Sequence, residues 1–219
     1  MKKITLIAFL LFTTQLLCAQ SAKFGIKAGL NRSFIDGGPL PTGVEGIPRY
    51  GFHVGVFKEF AFKNWSIMPS LLYSVKGFKV SVMPPATPPG VDKITGTRTF
   101  NYLEFPVNLL YNFKIKPGRI FVGAGPYMGY LLSASGNNTV TAGGTANYSE
   151  TKFVVGGNGD YKRIDLGVNF VVGLGLKNGF LFNLAGYKGF TDILAPTATN
   201  KFPPMTKNGA LTFSVGHTF

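Results

Sequence analysis

Hydrophobic and polar residues alternate along eight stretches of the chain. These stretches span residues 23–34, 49–60, 65–79, 98–113, 120–133, 161–176, 180–190 and 209–219. In residues 161–176, every second position from Ile164 to Leu174 is apolar, whereas Asp165 and Asn169 lie between them. Alternation with a period of two is typical of a β-strand with one apolar face. The sequence therefore predicts eight strands, each with one apolar face and one polar or glycine-rich face.

The segments between these strands alternate in length. Residues 61–64, 114–119 and 177–179 are short, whereas residues 35–48, 81–97, 134–160 and 191–208 are long and rich in Gly, Pro, Thr and Asn. Short turns at one rim and long loops at the other are typical of outer-membrane barrels. We therefore predict an all-β fold, an eight-stranded antiparallel up-and-down transmembrane β-barrel, with both termini at the periplasmic rim.

The ionisable residues within the predicted strands lie on the polar faces. These faces carry Lys27, His53, Lys76, Glu104, Arg163 and Asp165, and the centres of the apolar faces carry no charge. A Lys or Arg that faces lipid near the bilayer midplane costs about 2–4 kcal/mol, which explains the difference. An eight-stranded barrel has room for side chains but not for a water channel. We therefore expect these six side chains to form a polar network in the lumen.

A soluble barrel of the lipocalin type would also show a period of two, with its apolar faces turned inward. Three features favour the membrane. The apolar faces are rich in aromatic residues, and the opposite faces are rich in Gly, Ser and Asn, which would fill a dry core poorly. The last strand ends in Phe219, which resembles the terminal aromatic signal for outer-membrane assembly. We therefore expect a protein of the Gram-negative outer membrane.

The first residues have the features of a secretory signal peptide. Two lysines precede an apolar stretch over residues 4–17, and Ala19 suits the position before a cleavage site. We predict a signal peptide at residues 1–19 and an outer-membrane β-barrel domain at residues 20–219. Lipidation of Cys18 is the alternative, although this cysteine lacks the small preceding residue of a lipoprotein signal.

Three prolines interrupt the predicted strands: Pro69, Pro106 and Pro126. Each lacks the amide hydrogen that a strand donates to its neighbour, and a closed barrel has no free edge for such a residue. We therefore expect β-bulges or rim positions at these prolines.

The net charge of +13 at pH 7 does not indicate a nucleic-acid-binding protein. The basic residues are spread over turns, strand ends and polar faces, whereas nucleic-acid binding needs a basic stripe. Gly123, Gly125 and Gly129 lie on one face of one strand, without the helix that a dinucleotide-binding loop requires. The sequence contains no spacing typical of metal ligands, so we expect no cofactor and no metal.

Several motifs resemble the PorT-type outer-membrane β-barrel family of Bacteroidetes. They are Phe24-Gly-Ile-Lys-Ala-Gly-Leu-Asn31, Pro69-Ser-Leu-Leu-Tyr-Ser-Val-Lys-Gly77, Tyr102-Leu-Glu-Phe-Pro-Val-Asn108, Val122-Gly-Ala-Gly-Pro-Tyr127 and the pair Asp165 and Gly167. The resemblance implies an eight-stranded outer-membrane barrel similar to those of OmpA and OmpX, and it implies no single activity. The namesake of the family takes part in type IX secretion, so a secretion-accessory role is one expectation.

The sequence is compatible with three functions. We expect a structural or interaction protein with a closed bore. Its partners would be the lipid bilayer with its lipopolysaccharide, the barrel-assembly machinery, and a protein bound at the long loops or the periplasmic rim. The second hypothesis is a lipid-modifying enzyme in which His53 serves as the base for Ser66, Ser70 or Ser74. The third is a narrow transporter or ligand-binding barrel. Because a side-chain network explains the same residues without chemistry, we expect no catalytic residue and no enzymatic activity.

Overall fold

The computed structural model describes residues 21–37, 39–157, 159–195 and 206–219. Its strands are β1 (Ser21–Asp36), β2 (Val44–Phe62), β3 (Trp65–Val82), β4 (Lys93–Ile115), β5 (Gly118–Ala142), β6 (Thr145–Phe153), β7 (Ile164–Leu176), β8 (Phe180–Gly189) and β9 (Lys207–Thr218). Within these ranges, no helix has the length and apolar character needed to cross a membrane. The predicted signal peptide at residues 1–19, including Cys18, lies outside the described residues.

Eight of these strands close into a barrel. Each is antiparallel to its neighbours in the order β4-β3-β2-β1-β9-β8-β7-β5, and β5 pairs with β4 to complete the ring. β1 and β9 join the two ends of the chain, with Gly25 opposite Thr218. The prediction of an eight-stranded antiparallel up-and-down barrel is therefore confirmed. We call the rim with the turns after β2, β4 and β7 the short-turn rim, and the opposite rim the long-loop rim.

The segment 134–160, predicted as a long loop, forms a hairpin that extends β5 beyond the barrel. β5 turns through Gly143 and Gly144 and returns as β6, which pairs with β5 along its whole length. The two glycines have φ values of 54° and 79°, as a two-residue hairpin turn requires. Alternation did not reveal this hairpin because β6 is exposed at all positions but its last, and both strands of the hairpin carry mostly polar side chains.

The outer wall of the barrel is apolar, and polar side chains are buried inside it. Leu30 and Phe170, on outward positions of β1 and β7, are each 64% exposed. His53 and Asn169, on inward positions of β2 and β7, are buried. This arrangement inverts that of a soluble barrel and matches a wall that contacts hydrocarbon.

The expectation of bulges or rim positions at Pro69, Pro106 and Pro126 is wrong. All three lie within strands, and the register is the same on both sides of each. The register shifts of the described wall occur after Pro48 in β2 and beside Asn101 between β4 and β5. Next to each proline the ladder loses two paired positions and then resumes. The missing amide donors of the prolines therefore interrupt the hydrogen bonding of the wall locally, and the strand register is unchanged.

Candidate functional site

A buried ion pair occupies the middle of the barrel interior. Lys76 Nζ, on β3, donates a hydrogen bond to Glu104 Oε1 on the adjacent β4. The two side chains are only 1% and 3% exposed. Lys76 Nζ also lies 4.6 Å from the ring centroid of Tyr187 on β8 and 5.4 Å from that of Tyr127 on β5. The two tyrosine rings pack edge to face, with centroids 5.3 Å apart. Side chains from four strands therefore fill the bore at this level.

Asp165, at the start of β7, collects three hydrogen-bond donors. Its Oδ2 accepts from Asn208 Nδ2 at 2.9 Å and from the Tyr127 hydroxyl at 3.2 Å. Its Oδ1 accepts from Thr191 Oγ1 at 3.0 Å. Asn208 also donates to the Tyr102 hydroxyl at 3.0 Å. These donors stabilise a buried carboxylate that, among the described residues, has no cation within salt-bridge distance.

His53 lies in a chain of hydrogen bonds that crosses three strands. Asn31 Nδ2 donates to the Phe52 carbonyl and to Ser74 Oγ, so Asn31 Oδ1 faces His53 Nδ1 at 2.7 Å and accepts from it. His53 Nε2 therefore accepts from Ser214 Oγ, also at 2.7 Å. The order Ser, His, Asn is that of a nucleophile, a base and an orienting residue. The sequence pointed to Ser66, Ser70 and Ser74 instead, because β9 becomes a near neighbour of β2 only when the barrel closes.

The chain of Asn31, His53 and Ser214 is buried and closely packed. Gly29 lies between His53 and Ser214, and a Cβ at this glycine would be 2.6 Å from His53 Cε1 and 2.8 Å from Ser214 Cα. All three polar side chains of the chain are buried. The geometry therefore suits a hydrogen-bonded part of the wall better than a reaction centre.

Lys27 and Arg163 complete the set of residues that the sequence assigned to the lumen. Lys27 is buried, donates to Ser70 Oγ at 3.1 Å, and lies 5.8 Å from the Phe57 ring centroid. The assignment of Arg163 is wrong: its side chain is exposed and its guanidinium lies 5.8 Å from the ring centroid of Tyr130 on the outer wall. β7 begins only at Ile164, so strand alternation does not decide where Arg163 points.

A second ion pair lies near the short-turn rim. Both terminal nitrogens of Arg119 donate to the carboxylate of Glu59, and Nη1 also donates to Asn112 Oδ1 at 3.0 Å. Asn112 Nδ2 in turn donates to Ser66 Oγ at 3.0 Å. The sequence does not reveal this cluster, because its pattern predicts a turn over residues 114–119, whereas β5 already begins at Gly118.

Apolar layers lie on both sides of the central ion pair. The lower layer, towards the short-turn rim, includes Phe57, Met68, Leu110, Phe121 and Leu181. The upper layer includes Phe78, Phe100, Leu131, Tyr161 and Ile193. Tyr161 and Ile193 come from the long loops, which pair through Lys162 N and the Ile193 carbonyl at 2.8 Å. The bore is therefore closed by packed side chains at three levels.

The β5–β6 hairpin is an exposed part of the long-loop rim. Tyr148 on β6 is 60% exposed. Its hydroxyl donates to Glu150 Oε1 at 2.7 Å, and this bond raises the pKa of Tyr148. At the base of the hairpin, Arg98 lies 5.0 Å from the ring centroid of Phe153, and Phe153 packs against Tyr161. The exposed tip is thus anchored on the upper apolar layer.

No group of three or more His, Cys, Asp or Glu side chains in the described ranges is placed to hold a metal ion.

Several solved structures are similar to this chain. No curated protein sequence matches the chain. Among solved structures, Neisserial surface protein A is similar, with 15% identity, a TM-score of 0.41, and coverage of 91% of this chain and 99% of that chain. Ail, the attachment invasion locus protein of Yersinia pestis, shows 16% identity and a TM-score of 0.38, with coverage of 91% and 99%. OprG of Pseudomonas aeruginosa shows 14% identity and a TM-score of 0.30, with coverage of 91% and 97%.

A family model gives the assignment. The model for the outer membrane protein β-barrel domain matches residues 18–195. The chain therefore belongs to the outer membrane protein β-barrel family, and it is a protein of the Gram-negative outer membrane.

Proposed function

We propose that this protein is a closed barrel that presents a binding surface to the outside of the cell and carries neither solutes nor a reaction centre. The observation that carries this proposal is the filled bore, in which Lys76 and Glu104 are caged by Tyr127 and Tyr187 between two apolar layers. Small eight-stranded barrels use their interior for side-chain packing. The long-loop rim then remains as the part of the molecule with free surface for recognition.

The β5–β6 hairpin is the proposed contact element. Its tip is exposed on both faces and carries hydroxyl and amide side chains, which suit adaptable hydrogen bonding with a protein partner. The outer edge of β6 has no strand partner within the described part of the chain. The anchored base at Phe153 holds the hairpin in one orientation.

Membership of the PorT-type family of Bacteroidetes is part of the same proposal. The motifs around Pro69, Pro106 and Pro126 support it. A secretion-accessory role follows from that resemblance. The other proposed contacts are lipopolysaccharide around the long-loop rim and the assembly machinery at the last strand. At this strand, Phe219 N donates to the Phe24 carbonyl at 2.8 Å, and the Phe219 ring lies 5.1 Å from His217.

A photo-crosslinking amino acid at Tyr148 tests the binding surface in living cells. We expect Tyr148→p-benzoyl-phenylalanine to give a discrete crosslink to a protein. The same substitution at Leu211, on the outer wall of β9, is the matched control and should crosslink to lipid alone. Absence of protein crosslinks at Tyr148, at expression equal to that of the control, would contradict the proposed contact element.

A lipid hydrolase built on Ser214, His53 and Asn31 is the second candidate. The 2.7 Å contacts on both ring nitrogens of His53 favour it. The burial of Ser214 and the close packing around Gly29 argue against it, because Ser214 is not exposed to a lipid.

A further inference from the structure

Five exposed lysines surround the short-turn rim. They are Lys58 on β2, Lys63 in the turn after β2, Lys114 on β4, Lys116 in the turn after β4, and Lys177 in the turn after β7. Within the described ranges, none of them lies within 4.0 Å of a carboxylate. Among the described residues, Glu59 is the one Asp or Glu at this rim. Its carboxylate is already bound to Arg119.

The long-loop rim does not share this charge asymmetry. Its cations are interspersed with Asp36, Glu45, Asp92, Glu150, Asp160 and Asp192. Lys188 Nζ there lies 3.6 Å from Asp36 Oδ2. The uncompensated lysines are therefore a property of one rim, and the positive net charge alone does not explain them.

An aromatic belt fixes the depth of these lysines in the membrane. Trp65 packs against Tyr111 with ring centroids 5.0 Å apart, and Phe180 packs against His217 at 5.2 Å, all on outward positions at the short-turn rim. Aromatic belts of outer-membrane barrels lie at the membrane–water interface. Lys58 Nζ lies 5.0 Å from the ring centroid of its neighbour Phe60. The ammonium groups therefore lie at the level where phospholipid phosphates are found.

We propose that the five lysines bind the phosphate groups of anionic phospholipids in the periplasmic leaflet and gather a ring of these lipids around the barrel. The lysines occur on β2, β4 and three separate turns, so they face the surroundings on several sides. A folded protein docks on one side of a barrel, whereas lipid headgroups contact every side. Each basic residue close to an anionic membrane surface contributes about a fivefold preference at moderate salt. This ring acts at the opposite rim from the hairpin, so it is independent of the proposed extracellular contact.

Nanodiscs that contain equal amounts of phosphatidylglycerol and phosphatidylethanolamine provide the test. After gentle detergent extraction, native mass spectrometry counts the two lipids that stay with the full-length mature protein. The rim variant replaces Lys58, Lys63, Lys114, Lys116 and Lys177 with Gln. The matched control replaces Lys79, Lys93, Lys152, Lys162 and Lys207, at the opposite rim, with Gln, and it changes the net charge by the same amount.

We expect the unmodified protein to retain at least twofold more phosphatidylglycerol than phosphatidylethanolamine. The rim variant should lose most of this preference and the control should keep it. Sodium chloride at 0.5 M should remove the preference of the unmodified protein, a result that does not depend on how the variants fold. Equal retention of both lipids by the unmodified protein, or equal loss in the two variants, would overturn the proposal. Binding of an acidic polypeptide such as polyglutamate with no phosphatidylglycerol preference would also overturn it and would indicate a protein partner.

Discussion

Lys76 on β3 and Tyr187 on β8 meet across the full width of the barrel, with Nζ 4.6 Å from the ring centroid. The ring order places four strand steps between β3 and β8 in either direction, so the two strands are diametrically opposed. A contact between opposed walls leaves no continuous path beside it when Glu104 and Tyr127 occupy the remaining space. The closed bore therefore follows from how four side chains meet, in addition to the small number of strands.

The central ion pair should show strong energetic coupling. Lys76→Met leaves the Glu104 carboxylate buried without its cation, and we expect a loss of about 3–5 kcal/mol in the free energy of unfolding. Glu104→Gln in the same background removes the isolated charge and should recover a large part of this loss. Urea unfolding in lipid vesicles, followed by the fluorescence of Trp65, the single tryptophan of the chain, measures both changes. Additive losses in the double variant would contradict the ion-pair description.

The His53 network should be structural. His53→Ala leaves Asn31 Oδ1 and Ser214 Oγ buried without their partner, and we expect a loss of about 1–3 kcal/mol of stability. Phospholipid hydrolysis by the unmodified protein and by His53→Ala should both equal that of protein-free vesicles, measured as released fatty acid. Hydrolysis by the unmodified protein that both His53→Ala and Ser214→Ala abolish would show that the second candidate function is right.

The β5–β6 hairpin should be dispensable for folding. Gly136 and Thr151 are directly opposite each other in the β5–β6 ladder. Replacement of residues 137–150 by a two-residue Asn-Gly turn therefore keeps the register of the remaining pairs. We expect at most a small decrease in the midpoint of urea unfolding, since the removed residues 137–141 pair only with residues 93–97 at the rim end of β4 and the others lie outside the ring of eight strands. A chain that no longer folds into vesicles would show that the hairpin supports the barrel.

The prolines should mark weak points of the wall. The β4–β5 ladder is interrupted beside Pro126. Pro126→Val supplies an amide donor at this position, and we expect a gain of about 0.5–1.5 kcal/mol. Ala124→Val, two residues away on the same outward face, adds a similar side chain without a new donor and should leave the stability nearly unchanged. A destabilised Pro126→Val protein would mean that the ladder needs the proline backbone.

Much of the barrel was predictable because lipid imposes a simple rule on every strand. Leu30 and Phe170 had to face outward, and Lys76 and Glu104 inward, so alternation alone fixes the facing of each residue within a strand. The rule fails where the chain leaves the hydrocarbon. Arg163 precedes β7, and the β5–β6 hairpin is polar on both faces, so neither carries a period that reports its position.

The partners within the lumen were not predictable for a different reason. Alternation indicates that His53 points inward, but the neighbour of His53 Nε2 depends on closure of the ring, which brings Ser214 from the last strand beside β1. The partnership of Arg119 with Glu59 likewise depends on the start of β5, and strand boundaries are the least certain part of a sequence-based prediction.

Single-channel recording in planar lipid bilayers tests the closed bore most directly. We predict that the unmodified protein gives no stable conductance steps in 1 M potassium chloride, and that the triple variant Lys76→Ala, Tyr127→Ala, Tyr187→Ala gives small steps, because the contact across the bore is then absent. Stable conductance of the unmodified protein, at a level that the triple variant does not change, would contradict the account.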